Sequence, residues 1–265
     1  MKDLIIQNLS PTYPWKESFH YFEELDSTNT RIKAMAKEGA PHGTVLIADH
    51  QTGGHGRMGR SFHSPGGVGI YMSILLRPDC SPVELLHLTC ATAVAMCDAV
   101  EQSAGFRPGI KWTNDLVSGK RKLGGILTEL GLTPKGMVDY AIIGIGINCC
   151  QQIEDFAPDI RQIAGSLSMV TGKTIDRCKV AAAMMDALHQ MSENLLTGRD
   201  SILEAYRAGC ITLGQDISLV RGDEVRHGHA VDVDQAGALI VRFADGHTEA
   251  VNSGEVSVRG MYGYV

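Results

Sequence analysis

Between residues 49 and 67 the chain carries six glycines, two arginines (Arg57 and Arg60) and Pro65. No helix survives such a run, since each glycine costs a helix interior about 1 kcal/mol and each proline about 3 kcal/mol. Apolar runs of strand length flank it, at 45–48 and 69–77. A segment anchored at both ends on strands can order over a ligand while the core stays fixed. Glycine lets main-chain N–H groups come close to that ligand. Arginine adds a permanent planar charge suited to phosphate and carboxylate. The segment reads as a loop that wraps an anion.

Two phosphate-binding patterns overlap in it, Gly54-x-Gly56-x-x-Gly59 and Gly54-x-x-x-x-Gly59-Arg60-Ser61. Both work only when the last glycine opens a helix whose N-terminus meets the phosphate. Phe62, His63, Ser64, Pro65, Gly66 and Gly67 follow here and cannot propagate a helix. Neither pattern is retained.

Upstream, residues 1–18 with Pro11 and Pro14 read as an irregular lead-in, and 19–22 as a short strand. Ser27, Thr28 and Asn29 precede Ile32, Met35 and Ala36 at helical spacing. One of the three suffices as a cap, which leaves the others for a ligand. Ser81, Pro82 and Glu84 form a capping box that predicts a helix to about Ser103. A strand over 109–115 ends in the polar set Lys111, Trp112, Thr113, Asn114 and Asp115. A hairpin then carries Lys120, Arg121 and Lys122 into an apolar strand that begins beside Gly124 and Gly125. A hairpin tip explains two of these cations; Lys122, next to a stretch without side chains, is expected to face a ligand. In 141–148 glycine alternates with isoleucine, so one strand face is filled and the other left open as a pocket wall. Helices are expected over 178–196 and 201–208.

From Leu213 the pattern changes to five short strands, at 217–220, 228–233, 238–243, 248–251 and 255–259, which fit a small SH3-like barrel. The organisation expected is a domain over 1–212 and a β domain over 213–265. The fold class is α+β, a mixed-sheet domain with that small barrel after it.

A formal charge of −6 argues against a general nucleic-acid binder. No apolar run approaches the roughly 20 residues of a membrane span, and the first residues lack a signal peptide. No membrane association is expected, and the expected location is cytoplasmic. Seven cysteines without a CxxC pair read as reduced, mostly buried thiols.

Taken in order, the arginine–glycine loop, Lys-Trp-x-Asn-Asp, Lys-Leu-Gly-Gly-Ile, Gly-Ile-Gly-Ile-Asn and the terminal barrel make the chain resemble the biotin protein ligases, from about Phe22 to Arg259. That family's loop reads Gly-Arg-Gly-Arg-x-Gly-Arg; here His55 replaces its first arginine. Thr113 replaces the proline of Lys-Trp-Pro-Asn-Asp. The resemblance implies ATP-dependent conversion of biotin to biotinyl-5'-AMP. The biotin then passes to a lysine on the biotin carboxyl carrier protein of acetyl-CoA carboxylase or a related carboxylase.

By position, the resemblance gives Ser27, Thr28, Asn29, Gln51, Gly54, His55, Gly56, Arg57, Lys122 and Gly125 to biotin. It gives Arg57, Arg60, Phe62, Lys111, Trp112, Asn114 and Asn148 to ATP. Arg57, Lys122 and Arg60 would be the catalytic cations, and Asp115 the ligand of Mg2+ arriving with ATP. Rival readings are a lipoate or octanoate ligase of the same fold and a non-catalytic biotin binder. About 20 residues precede Phe22, too few for a helix-turn-helix unit, so no direct DNA binding is expected. The family includes both monomers and homodimers.

Overall fold

The computed structural model describes residues 1–252 and 257–260. Its centre is a seven-stranded mixed sheet built from β1 (Phe19–Leu25), β2 (Thr44–Gln51), β3 (Gly69–Leu76), β4 (Gly109–Lys111), β5 (Asp115–Ser118), β6 (Arg121–Leu132) and β7 (Val138–Asn148). The spatial order is β1-β2-β3-β7-β6-β5-β4. The β1–β2 pair is parallel and the others antiparallel. β7, the strand in which glycine alternates with isoleucine, lies in the middle.

Alternation along the strands separates the two faces. Val45, Ile47, Ile70, Met72, Ile74, Ile143, Ile145 and Ile147 join one buried cluster. Three helices pack in that layer: α1 (Lys2–Asn8), α3 (Leu88–Ala104) and α5 (Arg177–Asn194). α2 (Thr28–Lys37) covers only part of the opposite face, where Ile32 and Ala36 meet Leu46, Leu75, Tyr140 and Ile142. Beyond Ile142 that face continues with Gly144, which the Asn29 amide at the start of α2 overlies, and Gly146, which the Phe62 ring overlies. The functional cavity lies on this face. The short α4 (Leu167–Thr171) follows, and α6 (Arg199–Gly209) leads to the second sheet.

That sheet comprises β8 (Asp216–Arg221), β9 (Glu224–Val233), β10 (Leu239–Arg242), β11 (Thr248–Val251) and β12 (Ser257–Gly260), in the order β11-β10-β9-β8-β12. The α+β class and the small terminal β unit agree with the sequence reading. Positions 255 and 256 of the last expected strand lie outside the described residues.

Three expectations need correction. The strand expected over 109–115 ends at Lys111, and residues 112–114 turn into β5. The lead-in is not irregular: residues 2–8 form α1, because Ile5 and Leu9 are buried in the α3–α5 layer. The helix expected from Pro82 is a short 3₁₀ turn, Pro82–Leu85, before α3 starts at Leu88. Its capping box is present, with the Ser81 N–H donating to Glu84 Oε2 at 2.8 Å. The segment Pro82–Ala104 is long and apolar enough to cross a membrane, yet 67% of its apolar window is buried in the protein. That burial identifies a core helix.

Candidate active site

The glycine-rich segment leaves β2 and returns to β3 as an irregular ribbon. Gln51 N–H donates to Ser64 O at 3.1 Å, Phe62 N–H to Gly54 O at 2.9 Å and Gly56 N–H to Arg60 O at 2.7 Å. Its tip is a single 3₁₀ turn, Arg57–Gly59, in which Met58 (φ +57°) and Gly59 (φ +70°) take left-handed backbone angles. The segment is a lid held at its base. Arg177 from α5 reaches Asp49 at 2.5 Å, and the other Asp49 oxygen accepts from Gly67 N–H at 2.9 Å.

Under the lid lies a cavity of about 590 Å³, within the roughly 300–1,000 Å³ usual for small-molecule sites. Its floor takes Gly125, Leu127, Gly144 and Gly146 from two cross-strand rows, Gly125–Gly146–Tyr71 and Leu127–Gly144–Ser73, with Tyr71 and Ser73 buried behind the lining. A bulge between Leu116 and Val117 of β5 pairs Val117 with Lys122 and Leu116 with Gly124. The extra residue, Leu123, reverses the alternation and brings Lys122 to the face of Gly125, Leu127 and Glu129. Gly125 and Glu129 are four residues apart, roughly 13 Å along a strand. The cavity therefore has two distinct ends.

At one end hydrogen bonds run through neutral side chains. The Thr28 N–H donates to Gln51 Oε1 at 2.8 Å, and its hydroxyl lies 3.1 Å from the same atom. Gln51 Nε2 donates to Ser64 Oγ at 3.0 Å, tying this end to the lid. Ser73 Oγ lies 2.7 Å from Thr28 Oγ1 and 2.6 Å from Asn29 Oδ1. Asn29 Nδ2 donates to Glu129 at 3.0 Å. Ser27 caps α2 by accepting from Thr30 N–H at 3.4 Å.

The other end is charged. Lys122 Nζ contacts Asp115 Oδ1 at 2.6 Å, and Arg57 donates to Asn114 Oδ1 at 2.8 Å. Burial works against the Arg57 charge and lowers its pKa, while the neighbouring Asp115 carboxylate opposes that shift. Lys111 and Trp112 are buried on the same wall. Trp112 is fixed by the second sheet's side of the chain: its backbone N–H donates to Thr212 Oγ1 at 2.9 Å and its indole to Gly237 O at 3.0 Å. Val258 of β12 also reaches the cavity.

Of the residues singled out in the sequence, Ser27, Thr28, Asn29, Gln51, His55, Gly56, Arg57, Arg60, Phe62, Lys111, Trp112, Asn114, Asp115, Lys122 and Gly125 line this one cavity. Gly54 does not, but the ribbon requires it: a Cβ there would sit 2.5 Å from Phe62 O. Asn148 does not either; its amide donates to Gly165 O at 2.9 Å and anchors the segment after β7. Sequence reasoning missed Ser73 and Glu129. Each is a polar residue inside an otherwise apolar strand, which is the signal that could have marked it.

A cavity with an uncharged hydrogen-bonding end, an apolar floor and a cationic end under a glycine-rich lid fits a class of protein that binds and activates a small carboxylic acid. Comparison with known proteins narrows the class. Residues 21–148 match the biotin/lipoate A/B protein ligase family, and residues 212–259 match the biotin protein ligase C terminal domain. The bifunctional ligase/repressor BirA of Bacillus subtilis is 35% identical over 85% of this chain and 70% of its own. The biotin–[acetyl-CoA-carboxylase] ligase of Mycobacterium tuberculosis is 31% identical over 88% of this chain and 86% of its own. A solved structure of the biotin protein ligase from Aquifex aeolicus, in complex with biotin and ATP, superposes with a TM-score of 0.76 at 29% identity, covering 91% of this chain and 98% of that one. The chain belongs to the biotin/lipoate A/B protein ligase family.

Proposed function

We propose that this chain is a biotin protein ligase: it joins biotin to AMP at the expense of ATP, then transfers the biotin to a lysine of a carrier protein. The observation that carries the reading is the two-ended cavity. A cyclic urea offers one carbonyl acceptor and two N–H donors, and the Thr28–Gln51–Ser73–Asn29 end is built of hydroxyls and amides that can answer both. Gly144 and Gly146 make room for the Asn29 amide and the Phe62 ring, and the apolar lining of Ile126, Leu127 and Ile145 suits an apolar ring and chain. The Lys122–Asp115–Arg57 end suits a carboxylate meeting a phosphate. An octanoyl group presents no donor or acceptor at its far end, and a lipoyl dithiolane only weak sulfur acceptors and no N–H. Either would leave polar groups here unanswered, which is costly.

In the first step a biotin carboxylate oxygen attacks the α-phosphorus of ATP and pyrophosphate leaves. Two anions must approach each other, so fixed positive charge is needed where charge accumulates. We assign that task to Lys122 and Arg57 from the cavity and to Arg60 from the lid. Lys111, Trp112, Asn114 and Phe62 are assigned to the nucleotide. Asn148 is assigned to it indirectly, through the segment it anchors. In the second step the carrier lysine amine attacks the acyl carbon, AMP departs, and the amine proton is lost. A closed lid keeps water from the mixed anhydride meanwhile.

Among the described residues no three His, Cys, Asp or Glu side chains cluster as a metal centre. This suits Mg2+ bound chiefly by phosphates and water, which takes one or two protein carboxylates. Asp115 is the carboxylate on the cavity wall, and we assign it that role. The metal's chemistry would be to neutralise phosphate charge. We further assign residues 1–212 to catalysis and 213–265 to the terminal module, a biotin carboxyl carrier domain as protein partner, and a cytoplasmic setting. Direct DNA binding is not part of the proposal.

The lid is expected to be more mobile in the free protein, because ordering its glycines is entropically costly. Trypsin cleavage after Arg57 and Arg60 should slow when biotin and ATP are added; an unchanged rate would refute lid closure. Arg57→Gly is expected to release biotinyl-5'-AMP into solution and to biotinylate bystander lysines. Assay of a filtrate for free adenylate, and of an added unrelated protein for biotin, checks this. Undiminished carrier selectivity would remove Arg57 from the retaining role.

A further inference from the structure

We propose that Glu129, held by Lys33, is a positioning residue for biotin recognition: it sets which way round the Asn29 amide faces the cavity. The inference rests on the biotin-ligase reading and deepens it. Glu129 stands on β6 beyond the cavity's neutral end. One of its oxygens accepts from Asn29 Nδ2 at 3.0 Å, and the other meets Lys33 Nζ at 2.8 Å. Asn29 and Lys33 lie one turn apart on α2, so a single carboxylate spans both.

An asparagine amide has two ends of nearly equal shape and opposite hydrogen-bonding sense. What fixes its orientation is the partner's chemistry. An ionised carboxylate only accepts, so the amide nitrogen must face Glu129. The oxygen then faces Ser73 Oγ, 2.6 Å away. Ser73 Oγ is placed to donate to either Asn29 Oδ1 or Thr28 Oγ1 and has one proton, while the Thr28 hydroxyl donates to Gln51 Oε1. An amide oxygen turned toward Ser73 competes for that proton, whereas an amide nitrogen would not accept it. One carboxylate thereby sets which end of the Asn29 amide meets Ser73 and the end assigned to the urea.

Glu129 is equipped to stay ionised. Burial by itself would raise its pKa. The hydrogen bonds from Lys33 and Asn29 and the charges of Lys33 and His55 outweigh burial and hold it below the usual carboxylate range. Tyr140, from β7, faces the Lys33 end of the pair. Gly144 lies beneath the Asn29 amide and leaves the space that the amide occupies.

The test is calorimetric titration of biotin into the full chain, without ATP. Glu129→Gln keeps the shape but can donate as well as accept, so both amide orientations become available. Biotin affinity should fall roughly tenfold, with ATP affinity unchanged. Lys33→Met, which keeps the carboxylate but removes its cation, should give a smaller loss of the same kind. The decisive comparison is a double-mutant cycle. In an Asn29→Ala background Glu129→Gln should cost nothing further, whereas a merely structural role would persist there. Unchanged biotin affinity in Glu129→Gln, or full additivity with Asn29→Ala, would overturn the positioning role alone. Failure of the unaltered chain to bind biotin would overturn the ligase reading and this inference with it.

Discussion

Lys122→Met is expected to slow biotin-dependent pyrophosphate release by roughly 10²–10³-fold at saturating biotin and ATP, the usual cost of removing one preorganised charge-stabilising group. Lys122 reaches the cavity only because the β5–β6 bulge turns it to that face, and it is paired with Asp115 at 2.6 Å. When a phosphate arrives, the ammonium can contact it without being newly ordered. The substitution should also cost some stability, since it leaves Asp115, with its side chain 17% exposed, without that partner. Arg57 nearby limits the loss, so it should fall short of the roughly 3–5 kcal/mol seen when a fully buried pair is broken. Lys122→Arg should restore stability better than rate, because a planar fork does not reproduce a compact ammonium. Single-turnover pyrophosphate release beside a thermal melt separates the two effects. A Lys122→Met rate within threefold of the unaltered chain would remove Lys122 from the chemistry.

Gly144→Ala should have the second-largest effect, and on binding rather than rate. A Cβ at Gly144 would sit 2.1 Å from Asn29 Oδ1 and 2.7 Å from its Cγ. Asn29 must move, and moving it breaks its bonds to Ser73 and Glu129. The loss of a bond to a charged group is worth roughly 1.5–3 kcal/mol, so biotin affinity should fall by at least about tenfold. Two positions along the same strand, Gly146→Ala would instead meet the Phe62 ring at 2.4 Å. That variant should weaken nucleotide binding more than biotin binding. Paired titrations of biotin and ATP against both variants test the division. Equal losses for both ligands in both variants would show that β7 acts only through the fold.

Much of this site was legible in the sequence because local chemistry dictates it. Six glycines and two arginines between strands allow little besides a ligand-covering loop. The Gly144/Gly146 alternation names the open face of a strand before any partner is known. The N-terminal helix was not legible. Ile5 and Leu9 are ordinary apolar residues beside prolines, and only burial against the α3–α5 layer makes them helical. Ser73 and Glu129 escaped for a related reason. Their roles depend on strand register, with Ser73 opposite Gly144 across β3–β7 and Glu129 two residues beyond Leu127. Asn148, placed by its motif at the end of β7, lies outside the cavity lining, with its amide bonded to Gly165 and Gln151.

Pyrophosphate release with ATP and Mg2+, measured with biotin, lipoate and octanoate in parallel and with and without a biotin carboxyl carrier domain, tests the central claim most directly. The two-ended cavity predicts release with biotin alone among the three acids, and biotin on the carrier lysine when the carrier is present. Release driven by lipoate or octanoate, or tight biotin binding with no release, would contradict it.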